Sequence, residues 1–539
     1  MEKTIKKPIK ITDISKSKEQ LVKINPQELV PLPPPYDKPD NFPKIKQLTE
    51  EQEQQMDSSL DGFVLVGFPK SVSEEQEKKW VEKFLSGVKK LLNKEDNWTF
   101  LKPLLISLEY CTKCQTCSKA CNIFQMSGEK EIYRPTYRAE VLRRIIKKYI
   151  KPGGRLFGKF YGADIDLNRN LLARLAELSY RCTLCRRCAQ ACSIGIDNAL
   201  ITREIRKIFS QELDITVPDL HKLGTVQQLE TGSSTGMPPL AFKDNIEFLE
   251  EDFEEYTKMK FNLPVNVPNA DILLIHNAGE YLAWPENPEA FGIILEAAGI
   301  SYTLSSDLVA YDSVNYGLFY DDIQLAKIAL KHAEIAKKLG VKKIVLGECG
   351  HAHKALGVVA DRIFTSENNI PRESCLTLLK DIVFSGKLAL DPSRNDFPVT
   401  LHDPCNIVRS MGIVEPQRKI LRKICPKFRE MTPHGIENYC CGGGSGFAIC
   451  KSLNFPDWRM HISGRMKLKQ ILEAFQGDLG PENKKYVCAP CSNCKGQIRD
   501  LFKFYKVTEK SSIYYGGLVE LIVNAMSDIK KPFIEWEML

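Results

Sequence analysis

His402-Asp403-Pro404-Cys405, then Cys440-Cys441-Gly442-Gly443-Gly444, then Cys488-Ala489-Pro490-Cys491-Ser492-Asn493-Cys494: these three motifs between Leu401 and Cys494 hold six thiols, two of them adjacent. Neighbouring cysteines point in different directions along a backbone. A Cys-Cys pair beside a glycine run therefore suits a multi-iron cluster better than one tetrahedral zinc, and the glycines let the chain bend close to an inorganic core. A zinc site, or buried thiols without a metal, is the alternative for this stretch. The run Gly442 to Gly446 lacks the lysine and Ser/Thr of a phosphate-binding loop, which argues against nucleotide binding.

Upstream stands the most specific signal in the chain. Cys111, Cys114, Cys117 and Cys121 are repeated at identical spacing by Cys182, Cys185, Cys188 and Cys192. Thiols three positions apart on a tight loop reach three corners of one cubane, and a fourth ligand must come from elsewhere. The spacing resembles that of two-cluster ferredoxins, in which the last cysteine of each run serves the other cluster. That resemblance implies one [4Fe-4S] cluster on Cys111, Cys114, Cys117 and Cys192, and a second on Cys182, Cys185, Cys188 and Cys121. Asn122 and Ser193 stand where a proline usually follows, which removes no ligand.

The chain has 539 residues, room for two or three domains, and 18 cysteines clustered at metal-ligand spacing rather than spread as a disulfide framework. A net charge of +7 is mild for this length, and without an aromatic-studded basic stripe nucleic acid is excluded as a partner. No run of about eighteen apolar residues is present, so contact with a membrane is expected only through partners. Lys3, Lys6, Lys7 and Lys10 precede no apolar signal core, which predicts a cytoplasmic, reducing location.

The expected domains are an extended N-terminal arm over 1–60, left open between a disordered tail and an arm laid on another subunit, and a helical double-cluster ferredoxin domain over 61–210. A linker over 211–265 follows, rich in Gly, Ser, Pro and acidic residues. Between the cysteine runs, Leu142, Ile145, Ile146, Tyr149 and Ile150 form an apolar face opposite Arg143, Arg144, Lys147, Lys148 and Lys151. This reads either as a surface helix with a solvated basic face or as a docking face for a membrane subunit or lipid headgroups. Beyond the linker, strand-like Asp271–Ile275, Ser301–Leu304 and Lys343–Leu346 alternate with helical Glu289–Ala298 and Asp322–Leu339, the latter closed by Gly340. That alternation predicts an α/β domain.

Its two parts can be overlaid. His276 follows an apolar strand as His402 does, Asn315-Tyr316-Gly317 falls where Cys440-Cys441-Gly442 falls, and Cys349-Gly350-His351-Ala352 takes the place of Cys488-Ala489-Pro490-Cys491. The overlay predicts a degenerate first half over 266–386 and a cluster-binding half over 387–539. Cys349, with His351 or His353 as proton donor, is the candidate catalytic group; a buried small hydrophobe is the alternative for this cysteine. Cys375, Cys425 and Cys450 read as packing residues.

Taken together, the motifs from about Leu104 onward resemble the CCG-domain heterodisulfide reductase D family, and within it the HdrD-like K subunits of the Dsr membrane complexes of sulfate reducers, with their Hme and Tmc relatives. The 34 residues between Cys405 and Cys440 match the family pattern of one Cys, a Cys-Cys-Gly and a final Cys-x-x-Cys. The 46 between Cys441 and Cys488 exceed it, which implies an insertion within 456–483. The resemblance implies a noncubane [4Fe-4S] cluster on Cys405, Cys440, Cys441, Cys488 and Cys491, beside the two cubanes, with Cys494 undecided. It further implies a haem b membrane subunit that oxidises menaquinol, other redox subunits, the inner face of the cell membrane as location, and a disulfide or trisulfide on a small DsrC-like protein as substrate. The alternatives are a subunit acting on a small thiol-coenzyme disulfide, the iron-sulfur subunit of a glycolate or lactate oxidase, and a non-catalytic electron wire.

Overall fold

The computed structural model describes residues 9–38, 45–71, 73–257 and 260–536. The expectation resting on Lys3, Lys6 and Lys7 lies outside them. The chain forms two compact units: a helical one of 1–218, 319–321 and 450–466, and an α/β one of 219–318, 322–449 and 467–539.

In the helical unit, Glu74–Leu91 starts where the Ser73 hydroxyl accepts from the Gln76 N–H. It carries Glu74, Glu75 and Glu77 in its first turn and Lys89 and Lys90 in its last, each the sign that suits its end of the helix dipole. Its buried Phe84, Val88 and Leu91 face the helix Asn198–Leu213. At Gly87 a Cβ would stand 2.6 Å from Ile208 Cγ2, so glycine permits the close approach. The second helix buries Arg206, whose guanidinium lies 4.1 Å from the Tyr180 ring and donates to the carbonyls of Ser179 and Cys182. A buried charged residue thereby fixes the entry to the second cysteine run.

The N-terminal segment differs from the expected tail or arm for another subunit. Ile14, Val22, Ile24, Leu29, Leu32 and Tyr36 are buried, and Arg174 donates to the carbonyls of Asp13, Ile14 and Ser17 at 3.0, 3.2 and 2.9 Å. Residues too sparsely apolar to show a period still cover the helix Arg169–Ser179 of their own unit. The basic helix is also corrected in part: it runs Pro135–Ile145 into a wider turn over Ile146–Ile150, and Arg143 is buried, donating to the carbonyls of Leu108 and Ser107.

Residues 450–466, overlapping the expected insertion, belong to the helical unit. There Trp458 is fully buried against Phe455, its indole N–H donates to the Tyr133 hydroxyl at 3.3 Å, and Tyr133 donates to Asp61, which pairs with Arg181 at 2.8 Å.

The expected linker is helical. Pro239–Thr257 carries Phe242, Ile246, Leu249 and Phe253 at helical spacing, all buried, and Phe242 stacks on Tyr311 with ring centroids 4.5 Å apart. The acidic run occupies the remaining faces, so charge density masked an amphipathic helix.

Among the described residues, the α/β unit contains two four-stranded parallel sheets. In the first, β1 (Ile272–Ile275), β2 (Tyr302–Thr303), β3 (Lys343–Leu346) and β4 (Arg372–Ser374) run in the order β2-β1-β3-β4. In the second, β5 (Val399–Leu401), β6 (Phe428–Arg429), β7 (Lys485–Cys488) and β8 (Ile513–Gly516) run β6-β5-β7-β8. The order is the same, so the repeat read from the motifs is a repeat of topology. The central strands are short and, apart from Lys343, Thr400 and Lys485, apolar, as strands covered on two faces require.

Candidate metal and redox centres

In the helical unit the two cysteine runs share one backbone shape. Lys113 and Gln115 have φ of 60° and 66°; Leu184 and Arg186, at the same offsets between their cysteines, have 52° and 62°. Left-handed conformations at non-glycine residues are costly and turn a loop sharply, and they recur here at the same offsets within both cysteine runs. Each loop runs into a short helix, Thr116–Ala120 and Arg187–Gln190, and these two helices pack together, with Arg187 donating to the Ala120 carbonyl at 2.6 Å.

The thiols of the two runs lie close enough to influence one another. Burial, then the charges of Cys111, Cys121, Cys192 and Cys114, push the Cys117 thiol up to about 11. Burial pushes Cys121 up to about 11 as well, with Cys182 and Cys185 adding to it, and Cys188 is raised by burial and then by Asp197, Cys182, Cys185 and Cys121. Cys121 is thus felt by Cys117 of its own run and itself feels Cys182 and Cys185 of the other, while Cys192 adds to Cys117. Thiolates that repel one another in a desolvated pocket fit an iron-sulfur core, whose positive iron offsets the repulsion.

In the α/β unit the site sits beyond the C-terminal ends of the strands, the usual place for ligands in open parallel sheets. After β5, Asp403 accepts a bidentate pair of hydrogen bonds from the buried Arg418 guanidinium and one from the Gly435 N–H at 2.6 Å. This brace fixes the turn that presents His402 and Cys405. Cys405 opens the helix Cys405–Val408, which packs on Gly350–Lys354. The Gly442 and Gly443 N–H groups donate to Cys440 Sγ and Cys441 Sγ, each at 3.4 Å. At Gly442 φ is 94°, and at Gly443 a Cβ would stand 2.7 Å from Gln497 Cβ, so the glycines serve a close approach.

After β7, Cys491 caps the helix Ser492–Tyr505 and Cys494 lies in its first turn. The ligand atoms of His402, Cys441 and Cys494 all lie within 4.8 Å of one another, and all three residues are buried. Hydrogen bonds with the Cys440 and Cys494 thiols, with His402 adding its own, hold Cys441 well below the ordinary thiol range against the effect of burial. The Cys494 thiol likewise lowers Cys491. Cys440, Cys441, Cys491 and Cys494 therefore form one interacting group of sulfurs. The buried ammonium of Lys467, drawn down to about 7 by desolvation, feels their charge and donates to Asn438 Oδ1 at 2.8 Å. A crowded set of soft donors around adjacent cysteines fits a multi-iron cluster better than a single tetrahedral ion.

Two expectations are corrected here. Cys488 ends β7 and belongs to the apolar core with Cys425, Leu518 and Ile522; burial raises its thiol well above the ordinary range. A strand residue facing the core cannot also face the site, and Cys494, which follows Cys491 by one helical turn, takes its place in the group. His353 is not disposed as a proton donor: Nδ1 lies 2.8 Å from the Cys349 carbonyl and Nε2 2.7 Å from Ser374 Oγ, and burial draws its pKa down to about 4. It is a neutral, fully engaged brace.

Cys349 and His351 stay near the sulfurs. The Gly350 N–H donates to Cys491 Sγ at 3.3 Å, and burial, then the charge of Cys491, pushes the Cys349 thiol up to about 11. Asn277 Nδ2 lies 3.8 Å from Cys349 Sγ. His351, drawn down to about 4 by burial, feels the Cys441 charge and meets the Tyr316 ring edge-on. Motif reading missed His402 and Lys467 as members of the site. It also missed the buried group behind it, where Glu348 accepts from Asn287 and from the Leu518 N–H, and Lys495 stands 3.4 Å from Glu280. His402 had a signal in its strand-end position; the others lie in runs that look like ordinary helix.

Residues 107–196 match the 4Fe-4S dicluster domain and residues 399–499 the Cysteine-rich domain, CCG. The chain is similar to the Hdr-like menaquinol oxidoreductase iron-sulfur subunit 2 of Archaeoglobus fulgidus, 27% identical over 494 residues that cover 83% of both chains. The Hdr-like menaquinol oxidoreductase iron-sulfur subunit of Archaeoglobus profundus is 25% identical over 492 residues, again 83% of both. The HdrD polypeptide of the dihydromethanophenazine:CoB--CoM heterodisulfide reductase of Methanosarcina barkeri is 23% identical over 428 residues, 78% of this chain and 95% of that one.

Proposed function

We propose that this chain, an HdrD-like protein with a dicluster ferredoxin domain and a CCG domain, is the disulfide-reducing iron-sulfur subunit of a membrane-associated complex fed by menaquinol. The observation that carries the reading is the meeting of His402, Cys441 and Cys494 within 4.8 Å, with Cys440 and Cys491 joined to the same sulfur group and Cys349 adjoining it. Cys405, Cys440, Cys441, Cys491 and Cys494 are the residues that would hold a noncubane [4Fe-4S] cluster, and the eight ferredoxin cysteines two cubanes. When bound, these groups supply one-electron transfer and, at the noncubane centre, iron able to engage a substrate sulfur.

Reducing a disulfide takes two electrons and two protons and yields two thiols. The chain's own residues provide one of the two protons, and the second reaches the departing thiolate from solvent as product leaves. Cys349, protonated at neutral pH because its thiol is pushed up to about 11, offers an S–H beside the site. Its Asn277 neighbour and the Gly350 N–H fix its orientation and that of Cys491. Burial of the whole group excludes water, which strengthens each of these contacts.

The relatives named for menaquinol support the donor; the Methanosarcina relative, named for a CoB--CoM heterodisulfide, supports a small mixed disulfide as a second substrate class beside a disulfide or trisulfide on a DsrC-like protein. Haem b and further redox subunits complete the proposed complex. The test is iron content and low-temperature EPR on the anaerobically purified chain, before and after oxidation with each disulfide. About twelve irons and a new paramagnetic signal on oxidation are expected. About eight irons and no such signal would leave an electron wire without a catalytic centre.

A further inference from the structure

Between the two cysteine runs a short projection leaves the helical unit with its largest side chains turned outward. Leu156, Phe157, Phe160 and Tyr161 are 81, 52, 88 and 69% exposed. The projection is built rather than loose. Lys148 Nζ donates to the Ile165 carbonyl at 2.6 Å and to Asp166 at 3.0 Å, the Leu167 N–H donates to the Tyr149 hydroxyl at 2.9 Å, and Ala163 and Ile165 are fully buried at its base. Within it, Phe157, Phe160 and Ala163 donate from their N–H groups to the carbonyls of Gly153, Phe157 and Gly158 at 3.0, 3.0 and 2.7 Å. A Cβ on Gly154 would stand 2.0 Å from the Lys147 carbonyl oxygen, so the glycine is what lets the turn close.

Its charge has one sign. From Val141 to Ala163 the sequence holds no Asp or Glu, while Lys147, Lys151, Arg155 and Lys159 surround the apolar tip. Aromatic and leucine side chains flanked by cations, with the nearest carboxylates, Asp164 and Asp166, held at the base by Lys16 and Lys148, match the chemistry of an anionic bilayer surface, where rings sit at headgroup level and each Lys or Arg is drawn to the negative leaflet. We propose that residues 151–161 insert into the headgroup layer of an anionic membrane, so that the chain contacts lipid itself as well as membrane partners.

The test is co-flotation of the full, cluster-loaded chain with vesicles, in the absence of any other protein. Partitioning onto phosphatidylcholine vesicles containing phosphatidylglycerol is expected, with little onto phosphatidylcholine alone. Replacing Leu156→Ser and Phe160→Ser together should weaken partitioning by at least about tenfold with iron content unchanged, and Lys151→Glu with Lys159→Glu should weaken it only on anionic vesicles. Absence of flotation at low salt, or flotation indifferent to all four substitutions, overturns the proposal. Recruitment only when a membrane protein is reconstituted into the vesicles overturns it in favour of a protein partner. Because the readout is lipid binding, it fails or succeeds independently of disulfide reduction.

Discussion

The two halves of the α/β unit have the same strand order and differ in what stands at their strand ends. In the second half, the residue after β5 is His402, within 4.8 Å of two thiols, and the next is Asp403, locked to Arg418. In the first half, the residue after β1 is His276, packed between the rings of Tyr281 and Phe291, and the next is Asn277, which caps the helix Ala278–Ala283 and reaches towards Cys349. One topology thus offers the same positions twice. Apolar packing has filled them in one half and sulfur in the other, and the first half keeps a single thiol at the shared site.

The sharpest way to break this contrast is to exchange the two cysteines that flank Cys491. Cys494→Ser should abolish disulfide reduction and lose about four irons per chain while both cubane signals persist. Cys488→Ser should keep the irons and the activity, at a modest stability cost. The reverse result in iron analysis would return Cys488 to the ligand set. A smaller effect is expected at the brace. Asp403→Asn leaves the buried Arg418 guanidinium with Glu430, at 3.0 Å, as its remaining carboxylate partner and should destabilise the chain by about 1–3 kcal/mol in chemical denaturation, whereas Asn277→Asp should leave stability nearly unchanged. Equal effects at the two positions would show that the brace is not specific to the second half.

Of similar size is the effect at His353, the brace of the first half. His353→Ala removes two buried hydrogen bonds and should cost about 1–3 kcal/mol without altering the EPR of the loaded protein; a changed spectrum would place it in the site after all. A pH-dependent effect concerns Glu289, on the helix Glu286–Ala297. Burial, with Asp252 and Glu286 nearby, raises its carboxyl from 4.5 to about 9. A raised carboxyl favours the folded state below its unfolded pKa, and that contribution is lost as pH climbs towards 9. Stability should therefore fall with rising pH across this window, and Glu289→Gln should flatten the slope. An unchanged slope would show that Glu289 is not the group responsible.

Motif spacing reached the ferredoxin runs, the two-domain class and the repeat because each leaves a regular mark: thiols at fixed intervals, or apolar strands before a histidine. It placed Cys488 in the ligand set and left Cys494 undecided. That choice depends on where β7 ends and the helix Ser492–Tyr505 begins, a boundary of a few residues that turns one thiol into the core and the next towards the site. Composition misled at Pro239–Thr257, where acidic residues hid the spacing of Phe242, Ile246, Leu249 and Phe253. The proline-rich N-terminus misled similarly: its few apolar residues have no period of their own and are ordered by the helix they cover.

Residues 319–321 and 450–466 belong to the helical unit although the chain reaches them only by way of the α/β unit. A gene fragment ending at Pro218 would therefore lack Trp458 and Asn454, and with them the partners of Tyr133 and of the Val64 N–H and Gly62 carbonyl. The electron-carrying half is thus not an independently transferable module. Swapping it into a related protein requires carrying both distant segments along, and a lineage that shuffles domains by simple end-to-end fusion would break it.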